Sequence, residues 1–159
     1  MQAHIRPATG NDLTAINAVV EAGVMGWDLP ERVKRLSLDS YRYRAEDLDH
    51  IDLFVAGNDE GEIIGVAALE TADEKDLPQG KRGLLLHGLY VDPRYRSRGV
   101  GRQLLDHAID LARSRNADGV LVKAQADANG FFAALGGEAL EVEDPGRDYP
   151  HRWWFSAGA

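Results

Sequence analysis

The chain has 159 residues, a length that fits one domain, residues 1–159, with room for a real core and none for a second. Lys and Arg total 18 against 26 Asp and Glu, a formal charge of −8, which is the wrong sign for a general binder of phosphate backbones. With no cysteine, disulfides, thiolate metal sites and cysteine nucleophiles are excluded together, and 44% hydrophobic with 28% charged residues is the composition of a globular domain. The start Met1-Gln2-Ala3-His4-Ile5-Arg6-Pro7 lacks the apolar stretch of a signal peptide, and no run approaches the ~20 apolar residues of a membrane helix. The expectation is a soluble cytoplasmic protein with neither a nucleic acid nor a membrane as partner.

His4 to Arg6 reads as a short strand. Thr9-Gly10-Asn11-Asp12 then offers N-caps for a first helix, whose Leu13, Ile16, Val19 and Val20 recur at helical spacing up to Gly23. Pro30 suits the first turn of a second, weaker amphipathic helix carrying Val33, Leu36 and Tyr41. Ile51 to Ala56 and Ile63 to Leu69 are β-rich, with Asn58-Asp59-Glu60-Gly61 as a hairpin turn between them. Thr71 to Arg82 is a polar loop, and Leu84 to Val91 a strongly apolar strand that stops at Asp92-Pro93. Val100, Leu104, Leu105, Ala108, Ile109, Leu111 and Ala112 form the stripe of a long helix, opposite Arg102, Asp106, Asp110 and Arg113. Gly119 to Lys123 is a buried strand, Ala126 to Leu135 a short helix stopped by Gly136-Gly137, and Ala139 to Val142 and Arg152 to Phe155 are closing strands. This order predicts a mixed α/β fold, with the Leu84 and Gly119 strands parallel across their helical crossover.

Leu89-Tyr90-Val91-Asp92-Pro93-Arg94-Tyr95-Arg96-Ser97-Arg98-Gly99-Val100-Gly101-Arg102 carries the chemistry. A buried strand runs through a glycine-bearing turn straight into a helix, whose first amides lack internal partners and sit at the positive end of the dipole. Gly99 and Gly101 let a phosphate approach those amides, and Arg96, Arg98 and Arg102 can neutralise it, so a diphosphate is the expected guest. The alternative is a solvated turn with ordinary caps. Neither G-x-G-x-x-G nor G-x-x-x-x-G-K-[ST] is present, which removes the Rossmann and P-loop readings.

Arg96-Ser97-Arg98-Gly99-Val100-Gly101, preceded by Val91-Asp92-Pro93, resembles the Gln/Arg-x-x-Gly-x-Gly/Ala signature of the GNAT superfamily of acetyl-CoA-dependent N-acyltransferases. The element order is similar to that family's over most of the chain, most strongly from Leu84 to Gly137. The resemblance implies a central, mixed, mostly antiparallel sheet with helices on both faces. It also implies that the amides of Arg96 to Arg102, with Ser97, Gly99, Val100 and Gly101 among them, hold the pyrophosphate of CoA. Leu89, Tyr90 and Val91 would pair through their backbone with the pantetheine arm, on a strand that splays from its neighbour. Ala128-Asn129-Gly130-Phe131-Phe132-Ala133-Ala134-Leu135-Gly136-Gly137 is similar to the segment that follows the far end of the cofactor. Phe132 stands where many members have a proton-donating tyrosine, and Gln125 where an asparagine often contacts the cofactor, with Asn129 nearby.

Acetylating an amine needs a neutral nucleophile, a polarised thioester and a route for protons. The candidate catalytic groups are His87, Tyr90, Tyr149 and His151, with Glu70 beside them. His87 reads either as a hydrogen-bonded sheet histidine or as a base. Tyr149 would supply the hydroxyl missing at Phe132 and His151 would receive the amine proton, or these residues fix the start of the last strand while Trp153 and Trp154 pack on opposite faces. The expected activity is direct acetyl transfer from acetyl-CoA to a primary amine of a small molecule or peptide. No metal is expected, and the alternative is an acyl-CoA-sensing or interaction module without turnover. The resemblance also suggests a homodimer through the terminal strands.

Overall fold

The computed structural model describes residues 1–158. Its elements are β1 (His4–Pro7), α1 (Leu13–Met25), α2 (Glu31–Tyr41), β2 (Asp52–Gly57), β3 (Ile63–Thr71), β4 (Gly83–Val91), α3 (Val100–Ser114), β5 (Gly119–Lys123), α4 (Asn129–Ala134), β6 (Glu138–Ala139) and β7 (Arg152–Ser156). The seven strands form one sheet in the order β1-β2-β3-β4-β5-β7-β6. β4 and β5 are parallel, as the helical crossover between them demands, while β1–β2, β5–β7 and β6–β7 are antiparallel. The fold class is thus the mixed α/β arrangement expected. The chain forms two compact units, one of residues 1–68 and 88–105, the other of residues 69–87 with the chain from Asp106 onward.

In the first unit, Ile16, Val19, Val20 and Val24 put one face of α1 into a core shared with Leu38, Tyr43, Leu53, Val55, Val66, Ala68 and Tyr90. A 3-10 turn, Gly10–Asp12, leads into α1. There the Asp12 carboxylate accepts the Thr9 amide at 2.8 Å and both arms of Arg6 at 2.8 and 2.9 Å. The buried face of α2 differs from the one read above. Leu36 is 74% exposed and Val33 is exposed too, whereas Leu38 is buried. The reason is the short link from α1: Lys34 Nζ donates to the Met25 carbonyl at 2.7 Å and Tyr41 meets Trp27 edge-on at 5.0 Å, which turns the Lys34-Leu38-Tyr41 face inward. The β2–β3 turn is tied by buried Asn58, whose Oδ1 accepts the amides of Glu60 and Glu62 at 3.1 and 2.9 Å.

In the second unit, the β4–β5 ladder runs from Gly83↔Gly119 to Leu86↔Val122. The Trp154 ring lies over its first pair. A Cβ added at Gly83 would come within 3.0 Å of that ring, and one at Gly119 within 2.6 Å, so both positions need glycine. The closing strand expected over Ala139 to Val142 is only Glu138–Ala139. After Leu140, whose amide still donates to the Arg152 carbonyl at 3.0 Å, the chain leaves the sheet. The buried Arg152 guanidinium explains this, because it takes the carbonyls of Asp76, Glu141 and Tyr149 at 3.0, 2.8 and 3.2 Å and draws both loops around itself. The helix expected over Ala126 to Leu135 likewise divides into a 3-10 turn, Ala126–Ala128, and α4.

Candidate active site

β4 ends where expected. The Asp92 amide donates to the Ile64 carbonyl at 2.8 Å, and Pro93 then opens a 3-10 turn, Pro93–Tyr95, in which the Asp92 carboxylate accepts the Arg94 amide at 2.9 Å. Arg94 folds back onto that carboxylate at 2.7 Å and onto Glu62 at 3.2 Å. Its guanidinium holds Asp92 below the usual carboxylate range, and its own affinity for the proton is raised in return. Tyr95 follows, its hydroxyl accepting from Asn58 Nδ2 at 3.0 Å and its ring stacked under Arg98 at 5.3 Å.

The next residues bend sharply. Ser97 and Gly99 have φ of 61° and 83°, the left-handed region, and two such bends turn backbone amides toward one side. Gln103 N donates to the Gly99 carbonyl at 3.0 Å, which makes that carbonyl the first acceptor of α3. The amides of Val100, Gly101 and Arg102 therefore have no acceptor within the helix. Val100 and Leu104 seat this end of α3 on β3 at Gly65, where a Cβ would fall within about 3 Å of both side chains. Unlike Arg94, no carboxylate among the described residues pairs with Arg96, Arg98 or Arg102. In a chain of net charge −8 this is a local surplus of positive charge on top of unsatisfied amides. The donor set fits a diphosphate.

Beside the loop, Leu89 and Val91 on β4 are half-buried and Tyr90 is buried. A Cβ at Gly23 would fall 2.9 Å from the Tyr90 ring, so that ring fills the space glycine leaves on α1. Burial, then the nearby Tyr41, pushes the Tyr90 hydroxyl above its usual range, which keeps it protonated and ill suited to act as a base. His87, in the second unit, is exposed.

The remaining candidates belong to the second unit. Phe132 is buried with its ring against Phe131 and Phe155, at centroid distances of 5.1 and 6.2 Å, and so serves the core. Gln125 is half-buried at the head of the 3-10 turn. The Tyr149 hydroxyl donates to the Ala124 carbonyl at 3.0 Å and its ring stands edge-on to His151 at 6.4 Å. Asn129, at the start of α4, bonds Trp153 Nε1 through Oδ1 at 2.9 Å and His151 Nδ1 through Nδ2 at 3.0 Å. Trp154 is buried while Trp153 is half-buried, as alternation along β7 predicts.

Sequence reasoning missed the tie between Asn58 and Tyr95 and the one from Asn129 to Trp153. The first pair spans 37 residues and the second 24, and neither separation leaves a local pattern. Among the described residues no cluster of three His, Asp or Glu could hold a metal, and no helix is long and apolar enough to cross a membrane.

Comparison with known proteins gives a family to this mixed sheet and to the loop between its fourth strand and third helix. The model of the acetyltransferase (GNAT) family matches residues 23–136. The chain belongs to that family and is an acyltransferase. A peptidyl-lysine N-acetyltransferase, YjaB of Salmonella typhimurium, is 28% identical over 120 residues, 70% of this chain and 73% of that protein. The PaiA N-acetyltransferase of Thermoplasma acidophilum, solved with coenzyme A, superposes with a TM-score of 0.76 at 15% identity over 98% of this chain and 99% of that one. A GNAT acetyltransferase of Brucella melitensis, solved with acetyl-CoA, gives 0.65 at 19% identity over 99% and 90%. These two likenesses show the shared fold.

Proposed function

We propose that the protein transfers an acetyl group from acetyl-CoA to a primary amine, with the side-chain amine of a peptidyl lysine as the first acceptor to test. The observation that carries this reading is the loop in which the amides of Val100, Gly101 and Arg102 lie free beside three arginines without carboxylate partners. Those amides and arginines would hold the pyrophosphate, and Leu89, Tyr90 and Val91 would offer backbone groups to the pantetheine arm. The bound thioester supplies the acyl group. The amine would attack it directly and displace CoA, which leaves as the thiol with the proton the amine gives up; an acyl-cysteine intermediate is excluded because the chain has no cysteine. Positioning alone can supply much of the rate. The relationship to a peptidyl-lysine acetyltransferase and the chain's net charge of −8, which favours cationic acceptors, support the choice of lysine.

The test is release of free CoA from acetyl-CoA with lysine-containing peptides, checked by mass shift of the peptide. Acetylated peptide is expected. Binding of CoA without product from any amine in a broad panel would leave a sensing domain, a reading that the replacement of tyrosine by core-packed Phe132 keeps in view. Failure of saturating CoA to raise the melting temperature would overturn both.

A further inference from the structure

The hydrogen bonds around Asn129 determine which nitrogen of His151 carries its proton. An indole N–H only donates, so the Asn129 atom 2.9 Å from Trp153 Nε1 must be the amide oxygen. That orientation leaves the NH2 end 3.0 Å from His151 Nδ1. An NH2 group also only donates, so Nδ1 must offer a lone pair, and a neutral imidazole then carries its hydrogen on Nε2. The rest of the cluster holds this arrangement still. The His151 carbonyl accepts the Ala124 amide at 2.8 Å, and the Tyr149 hydroxyl, the other donor nearby, is committed to the Ala124 carbonyl. His151 Nε2 has no partner among the described residues and the side chain is half-buried.

We propose that Asn129, oriented by Trp153, is a positioning residue that keeps His151 in its Nε2–H form, so that the free edge of the ring is a hydrogen-bond donor and not a base. The lone pair a base would use is already engaged by Asn129. Freeing it means rotating an amide that Trp153 holds. The tautomer holds whether or not the acetyl-transfer reading above does.

Nitrogen-15 NMR of the histidine rings in the full chain, above neutral pH, reads the tautomer directly. A protonated Nε2 and an unprotonated Nδ1 are expected for His151, with Trp153→Phe allowing the two tautomers to mix and Asn129→Asp, which replaces the NH2 by an acceptor, moving the hydrogen to Nδ1. A wild-type His151 protonated on Nδ1 overturns the proposal whether or not any amine is acetylated.

Discussion

The Arg98 guanidinium lies over the Tyr95 ring at 5.3 Å, and the Tyr95 hydroxyl is in turn held by Asn58 in the β2–β3 turn. A flexible arginine is thereby pre-placed beside the free amides of α3, which lowers the entropy lost when an anion arrives. Tyr95→Ala should weaken CoA binding by about 0.5–1 kcal/mol, roughly two- to fivefold in Kd by calorimetry. Pantetheine, which lacks the diphosphate, should bind both proteins equally.

Replacing Arg96, Arg98 or Arg102 by alanine should each cost about 1.5–3 kcal/mol of CoA affinity, the range for hydrogen bonds to charged groups. Arg94→Ala is the control. Its guanidinium is already committed to Asp92 and Glu62, so its loss should change CoA affinity far less. Equal losses for all four would mean that general positive charge, and not the unpaired set, attracts the cofactor.

Gly99 has open space around it, with only the side-chain Nε2 of Gln103 within 4 Å of an added Cβ, yet its φ is 83°. Gly99→Ala should therefore cost about 1–2 kcal/mol through backbone strain alone, seen as a lower melting temperature. CoA affinity should fall with it if the bend is what aims the amides.

The buried face of α2 can be checked by a pair of substitutions. Leu38→Ala should destabilise by about 2–5 kcal/mol in urea titrations, the usual loss for a buried leucine. Leu36→Lys, at a position 74% exposed, should stay within about 0.5 kcal/mol of the parent.

Asp12 gives a pH dependence of known sign. Its hydrogen bonds from Arg6, then from the Thr9 amide, hold the folded carboxyl below its ordinary range. A depressed folded pKa means that this contribution is complete above the unfolded carboxyl's pKa of about 4 and is lost as pH falls from there toward the folded value. Asp12→Asn should lower the melting temperature at neutral pH and make it less sensitive to acid below about pH 4. An unchanged acid limb would show that Arg6 does not couple to Asp12 in solution.

Much of the architecture was legible because it is written in local patterns. The stripe from Val100 to Ala112, the β-branched runs of β2 and β3, and the proline after Asp92 each act within one turn or one strand, and each element appeared where its pattern lay. The loop proposed to take a diphosphate stood out for the same reason, since its glycines, arginines and helix start are contiguous. What local pattern could not decide was orientation against distant partners. The face of α2 depended on Lys34 reaching Met25, and the end of the closing strand at Ala139 depended on Arg152, a residue in a different strand. The tautomer of His151 needed an asparagine 22 residues earlier. Periodicity and composition act along the chain, whereas hydrogen-bond direction and burial are set by groups that only folding brings within 3 Å or so of one another, and it is those contacts that assign roles to side chains whose identities were plain from the start.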